Sequence, residues 1–417
     1  MPWRLAGLTT RGRCLLAAGL AAALCAVLVN ERDLLRVAAF AVMLPLLASV
    51  IVGHTQIRLR ADRELVPPRI TVGSDCQAHL TLRGTGALSG RLLLEDVVPQ
   101  ALGGPRRAVV ARLPQRGALA LIYPLRPVER RVHSLGPLIA RITDPLGLAE
   151  HRRPLAGHSR LVVIPLVVPL TGLPAGGELG SSESGGERVG VGPGQDAVVV
   201  RSYRQGDDLR KVHWRTTARR DELMVRVEEW PERGGATVLL DHRDAAHRGS
   251  GPTSSLEYAV SLAASVYVHL RQRGQWVRLV TGDGLVRAGA GDGTDHTIDT
   301  ALDALAALRA TDQRELASGP AMAGRQEVVA VLGAVEPVAV EQLLAHRPRG
   351  MRSHAVLLDV TAWATAGNDH VASDPAQAAR LLLAAGWSVA MARPEQPPSA
   401  VWDQLCLSSR SKLQVPR

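Results

Sequence analysis

Aromatic residues make up only 3% of this chain of 417 residues, and Phe40 is its single phenylalanine. Any core must therefore be built from Leu, Val, Ile and Ala rather than from stacked rings. Lysine is almost missing as well: of 49 basic residues, only Lys211 and Lys412 are lysine. Such Arg, Ala and Gly excess fits a GC-rich genome. The formal net charge of +10 is thus a weaker sign of nucleic-acid or anionic-surface binding than it would otherwise be. No zinc spacing or RNA-binding signature is present, so nucleic acid is not an expected partner. The cysteines Cys14, Cys25, Cys76 and Cys406 are scattered without a CxxC. That excludes a readable disulfide framework or thiolate metal site and points to a reducing compartment.

What is present is a folded composition, 46% hydrophobic and 21% charged, long enough for about two or three domains. Two apolar runs open the chain. Cys14 to Val29 is sixteen residues without a charge, and Val37 to Gly53 is seventeen more. Each approaches the lower limit of about 17 residues for a spanning helix. Arg11, Arg13 and Arg36 can snorkel to extend them. A cleaved signal peptide is the competing reading; the second run directly behind the first favours a hairpin. Arg4, Arg11 and Arg13 precede the hairpin and Arg58, Arg60 and Arg63 follow it, while Glu31 and Asp33 offset the arginines of the loop. The positive-inside rule then places both ends, and everything after residue 57, in the cytoplasm.

From Ile57 to about Leu170 short alternating or apolar runs, "HLTLRG", "RLLLEDVVP", "ALALIYPL" and "SRLVVIPLVVPL", are punctuated by Gly and Pro. That spacing predicts an antiparallel, Ig-like sandwich. "DPLGL", Asp144 to Leu148, reads as a structural corner. Thr171 to Gln195 holds nine glycines in 25 residues, a linker composition. Its "GVGPG" lacks the Lys-Ser/Thr ending of a phosphate loop. After Gly235, strands alternate with helices: "ATVLLD", "SSLEYAVSLAASVYVHLRQRG", "WVRLVTG", "TIDTALDALAAL", "EVVAVLG" and onward. Ser254 or Ser255 is placed to cap the first of these helices and Gly274 to end it. Strands apolar on both faces and spaced by helices imply a doubly wound parallel sheet. Asp241, Asp283 and Asp359 fall near the carboxyl ends of its strands, where such sheets bind ligands.

Between these parts lies "YRQGDDLRKVHWRTTARRDELMVRVEE". Asp207 can cap a short helix, Asp208 suits its N-terminus, and Arg215, Arg219 and Arg220 suit its C-terminus. "ELMVRVEE" then alternates as a strand. Two roles compete. In one, His213 is a general base oriented by Asp207 or Asp208, with Arg215 or Arg219 as an anion clamp, in a hydrolase or transferase. In the other, the charges form a capping and ion-pair network, and Tyr203, Trp214 and the arginines make a docking surface. No serine or cysteine nucleophile is spaced to serve the first, and the second is preferred.

This stretch resembles the signature of the domain of unknown function 58 family of bacterial membrane proteins, and "DPLGL" is similar to that family's DPFGL element. The matching signature positions are Tyr203, Gly206, Asp207, Asp208, Arg210, His213, Trp214, Arg215 and Arg219. The C-terminal part resembles a von Willebrand factor type A domain, whose metal is held by D-x-S-x-S after the first strand. Here those positions are Asp241, Arg243 and Ala245, so the resemblance implies the fold with a degenerate site and no metal or other cofactor. It also implies a chaperone-like scaffold or assembly role beside a MoxR-type AAA ATPase. The expected organisation is a membrane hairpin over residues 1–56, a β-sandwich over 57–170 and a Gly-rich linker over 171–195. A signature helix–strand unit over 196–235 and a von Willebrand A-like α/β domain over 236–410 follow, held at the cell membrane with the globular parts cytoplasmic.

Overall fold

The computed structural model describes residues 7–54, 58–85, 91–110, 118–174, 199–202, 224–227, 235–289, 298–316, 326–347, 351–363 and 374–413. The chain divides into two units, Met1–Ile164 and Pro165–Arg417.

The first unit opens with two helices, α1 (Thr10–Val29) and α2 (Arg32–His54), both long and apolar enough to cross a membrane. At about 1.5 Å per residue each is about 30 Å long or more, the thickness of a bilayer core. Thr9 caps α1 by accepting from the Gly12 N–H, and Asn30, with φ of 57°, turns the chain into α2. The buried positions of α1 are Gly12, Gly19 and Ala26. Those of α2 include Ala38, Pro45 and Val52. The α1 set repeats every seven residues, and at Gly19 the backbones of the two helices approach closely. A Cβ at Gly19 would meet the Val42 side chain at 2.9 Å. The opposite faces, with Leu24, Val27, Leu28, Phe40 and Met43, are exposed, as lipid-facing surfaces are. These helices fit a membrane protein.

The strands of this unit are β1 (Gly7–Leu8), β2 (Arg58–Val66), β3 (Arg69–Thr71), β4 (Cys76–Thr85), β5 (Arg91–Asp96), β6 (Arg106–Val110), β7 (Leu119–Leu125), β8 (Arg131–Leu135), β9 (Leu138–Thr143), β10 (Ala149–Ala156) and β11 (Ser159–Ile164). They form three sheets, ordered β1-β10-β9-β5-β6, β2-β4-β7 and β3-β11-β8. Pairing is antiparallel except between β3 and β11, which run parallel, a departure from the wholly antiparallel expectation. Alternating residues of the first two sheets share one core, including Leu59, Leu80, Leu82, Leu92, Leu94 and Ile142, and Ala48 and Val52 from the end of α2 join it. A buried pair crosses this core: Arg63 donates to both oxygens of Asp96, at 3.1 and 2.5 Å, and Tyr123 donates to Asp96 as well.

"DPLGL" is a corner, and its role is specific. Asp144 accepts from the N–H groups of Leu146 and Ala149 at 2.9 and 2.6 Å. The turn so formed presents Gly147 and Leu148 carbonyls to Thr9, whose hydroxyl donates to Gly147 at 2.6 Å and whose N–H donates to Leu148 at 2.9 Å. The corner is thus the socket for the start of α1.

In the second unit β12 (Val199–Ser202) pairs antiparallel with β13 (Met224–Val227), from Val199↔Val227 to Ser202↔Met224. The strand expected in "ELMVRVEE" is therefore present. The main sheet contains β14 (Gly235–Leu240), β15 (Trp276–Thr281), β16 (Val286–Ala288), β17 (Glu327–Leu332), β18 (Ser353–Leu358) and β19 (Ser388–Ala392), in the order β16-β15-β14-β17-β18-β19. All pairings are parallel except that of the edge strand β16. Every residue of β14 and β18 is buried, as two covered faces require. Among the described residues the helices are α3 (Ser255–Gln272), α4 (Ile298–Ala307), α5 (Pro337–Ala345), α6 (Pro375–Ala384) and α7 (Pro398–Leu413). Ser254 caps α3, and Gly274, with φ of 75°, lies just past its end. α5 and α6 cover one face, where Val340, Leu343, Ala378 and Leu382 meet Val328, Ala330 and Leu357.

The end of "SRLVVIPLVVPL" does not continue a strand. Pro165 to Thr171 instead lies along α3 and α7. Val168 donates to Ser265 at 2.9 Å, Ser261 donates to the Leu166 carbonyl at 2.6 Å, and the Trp402 indole donates to Thr171 at 2.9 Å. Pro165 and Pro169 interrupt the run and remove the donors that a ladder would need.

Candidate functional site

In a doubly wound sheet the ligand crevice opens beyond the carboxyl ends of the strands, where the strand order reverses. Here that point lies between β14 and β17. Asp241 is the first residue past β14, and its N–H still donates to Val331 of β17 at 2.9 Å. Its side chain is fully buried.

Arg243 fills the crevice. Its Nε donates to Asp241 Oδ1 at 2.9 Å and its Nη2 to Oδ2 at 2.8 Å, a two-pronged pair. The backbone N–H of Arg243 adds a third donor to Oδ1 at 3.2 Å. The rest of the guanidinium reaches outward: Nη1 donates to the Arg314 carbonyl at 2.8 Å and Nη2 to the Ala334 carbonyl at 3.2 Å. One side chain therefore ties the loop after β14 to the loop after β17 and to the segment before residue 316. Burial alone would lower the Arg243 pKa, but the bonds and charge of Asp241 outweigh it and leave it raised.

The surrounding backbone closes the same space. Asp244 N–H donates to Thr311 and Thr311 N–H to His242, both at 2.9 Å. The Ala246 carbonyl accepts from Ala334 at 2.8 Å, and a Cβ at Gly333 would meet that carbonyl oxygen at 2.2 Å. Glycine at 333 permits the contact. His247, on the same loop, is buried: its Nε2 donates to the Asp241 carbonyl at 2.9 Å and its Nδ1 lies 3.1 Å from the Ser255 hydroxyl. Burial pushes the pKa values of His242 and His247 down, against the pull of nearby carboxylates. Both histidines are interior groups.

The other two carboxylates at this edge are held in the same way. Asp283 accepts from Thr281 at 2.6 Å, from the Leu285 N–H at 3.1 Å and from Arg287 at 2.6 Å. Burial pushes its pKa up, but these three donors together with His242 hold it below the usual carboxylate value. Asp359 accepts from Thr361 at 2.5 Å and lies 3.3 Å from Arg393 Nε. Each edge aspartate has an arginine of its own. Arg287, four residues past Asp283, could have been found by spacing; Arg393, contributed after β19, could not.

Of the three degenerate metal positions, Asp241 and Arg243 come together, whereas Ala245 is exposed and contributes only its carbonyl, to Arg248 at 2.9 Å. Mg²⁺ needs about six oxygen ligands near 2.1 Å. With both Asp241 oxygens bound to a guanidinium and no hydroxyl at 243 or 245, this donor set does not fit a divalent cation. Among the described residues no group of three or more His, Cys, Asp or Glu could hold a metal. Tyr203, Gly206, Asp207, Asp208, Arg210, His213, Trp214, Arg215 and Arg219 lie outside the described residues. Their flanks are adjacent, since Ser202 pairs with Met224.

Residues 199–332, about a third of the chain, match the family described as Protein of unknown function DUF58. The match runs from β12 through β17, so it takes in both the signature stretch and the Asp241–Arg243 crevice. No curated protein matches the chain.

Proposed function

We propose that this protein, which carries a DUF58 match over residues 199–332, is a membrane-anchored scaffold or assembly factor, with a degenerate von Willebrand A-like domain presented on the cytoplasmic side. The observation that carries this reading is the Arg243 guanidinium seated on the fully buried carboxylate of Asp241. The place where an α/β sheet of this kind would keep a reactive or metal-binding group is occupied by the chain's own cation. A crevice so filled supports binding through the outer surface rather than chemistry at the sheet's edge.

The two long apolar helices and the arginines on both flanks of the hairpin support a membrane anchor with both ends cytoplasmic. The strand order of the second unit supports the von Willebrand A-like reading, and the core shared by the five-stranded and β2-β4-β7 sheets in the first supports the Ig-like one. Chemistry of the signature, with Trp, Tyr and Arg together, suits a protein partner. The partner implied by the family resemblance is a MoxR-type AAA ATPase.

The test is crosslinking in intact membranes followed by purification of the full chain. Recovery of a MoxR-type ATPase, weakened by Trp214→Ala, supports the scaffold. Recovery of the chain alone under crosslinking that captures known membrane complexes contradicts it.

A further inference from the structure

Beside the filled crevice lies an open one. A pocket of about 240 Å³ is lined by His242, Arg287, Ala304, Ala307, Leu308 and Arg309. We infer that it binds the oxyanion group, phosphate or carboxylate, of a small molecule.

The polar side chains of the lining are His242, Arg287 and Arg309. Arg287 is clamped along one edge, with Nη2 on Asp283 at 2.6 Å and Nε on the Thr281 hydroxyl at 3.0 Å. Its Nη1 has no partner among the described residues. Arg309 has no ion-pair partner among them either, and it is exposed at the mouth. The His242 side chain is 2% exposed, and its Nδ1 has no hydrogen-bond partner among the described residues. Its Nε2 is 3.8 Å from Asp283, beyond hydrogen-bond reach. A buried ring nitrogen left unbonded is uncommon, because burial removes its water and returns nothing.

Charge points the same way. Asp283 balances Arg287, which leaves the charge of Arg309 at the pocket. The carbonyl end of α4 (Ile298–Ala307) adjoins the pocket and carries roughly half a negative charge, which reduces that positive charge without reversing it. A guanidinium held on one edge offers its remaining donors in a fixed plane, the geometry that matches carboxylate and phosphate oxygens. Ala304, Ala307 and Leu308 supply a short apolar wall for whatever carries the anion. The volume is below the usual 300–1,000 Å³ of drug-sized sites, so the ligand is small.

The test uses the full chain in detergent, titrated with inorganic phosphate, with acetate, and with chloride at matched ionic strength. Saturable stabilisation or calorimetric binding with phosphate or acetate, absent with chloride, is the expected result; which of the two saturates identifies the oxyanion. Arg309→Ala should weaken that binding at least tenfold without lowering the unliganded melting temperature, since Arg309 is exposed. Arg352→Ala, an equal charge loss at the amino end of β18, should leave it unchanged. The His242 ring NMR signals should shift on saturation. Equal responses to all three anions, or equal losses in the Arg309→Ala and Arg352→Ala variants, would overturn the inference. Neither result bears on the scaffold reading, which is tested by partner recovery.

Discussion

Arg243 grips both carboxylate oxygens of Asp241, two residues before it in the chain, through Nε at 2.9 Å and Nη2 at 2.8 Å. The pair is internal, with side-chain exposures of 7% and 0%. Two opposite charges this close to each other and this far from water depend on each other: together they balance, and apart each is a buried charge without a partner.

Arg243→Ala should therefore destabilise the protein by about 3–5 kcal/mol, the usual cost of stranding one member of a buried pair. Asp241→Ala should cost about the same, because it strands the guanidinium. The double variant Asp241→Ala/Arg243→Ala should cost clearly less than the sum of the two. Urea unfolding of the full chain in detergent measures all three. Additive losses would mean that the pair is not coupled.

Stability should also fall with acid before any carboxylate titrates. Burial depresses the pKa values of His133, His242 and His247 from the ordinary value of 6.5. Below pH 6.5 the unfolded chain takes up protons that the folded chain refuses, so the unfolded state gains. The contribution is present in full above that pH and is lost as pH drops toward the folded values. The lowered carboxylates Asp283 and Glu95 have ordinary values of 3.8 and 4.5 and act only in a lower window. The melting temperature should decline between pH 7.5 and 5.5. A flat or rising profile would contradict the neutral, buried histidines.

Gly12→Ala tests the socket that holds the membrane hairpin. A Cβ at that position would lie 2.1 Å from the Leu148 carbonyl oxygen, a backbone atom fixed by the Asp144 corner. Overpacking of this kind costs about 1–3 kcal/mol. Loosening of α1 should appear as faster protease cleavage near residues 7–9 in detergent micelles. Gly157→Ala, where no atom lies within 4 Å of the added Cβ and φ is not positive, should not change that cleavage.

The signature stretch separates docking from catalysis. If Trp214 anchors a partner, Trp214→Ala should weaken complex formation by ~2 kcal/mol or more while the melting temperature holds. His213→Ala should matter less in both assays, since one hydrogen bond contributes about 1 kcal/mol net. Loss of function in cells with His213→Ala, alongside normal melting and normal complex formation, would promote the enzyme reading.

Much of the architecture was legible in the chain because it is written locally. Two uncharged runs mark α1 and α2. The 3.6-residue apolar repeat from Leu256 to Leu270, capped by Ser254 and ended by Gly274, marks α3. Asp144 and Gly147 mark a corner by their turn chemistry alone. Pairing was less legible. Nothing near Arg69 announces that β3 will run parallel to β11, and "VVPL" looks like a strand until Pro165 and Pro169 divert it onto α3 and α7. The crevice was half legible: the loss of both serines was visible, and with it the loss of a cation's ligands. That Arg243 would turn back onto Asp241 and reach the carbonyls of Arg314 and Ala334 depends on segments about 70 and 90 residues away, which no local pattern records.

The most direct test of the filled crevice is thermal unfolding of the full chain in detergent with and without millimolar Mg²⁺ or Mn²⁺. An ion held at ~100 times its dissociation constant would add about 2.7 kcal/mol of stability, a readily measured shift. With Arg243 on Asp241, the wild-type melting temperature should not respond to either metal, whereas Arg243→Ser/Ala245→Ser, which restores two hydroxyls and frees the carboxylate, should gain a response. A metal-dependent rise in the wild-type protein that disappears in Asp241→Ala would contradict the account, because it would mean that the guanidinium gives way and the site still holds a cation.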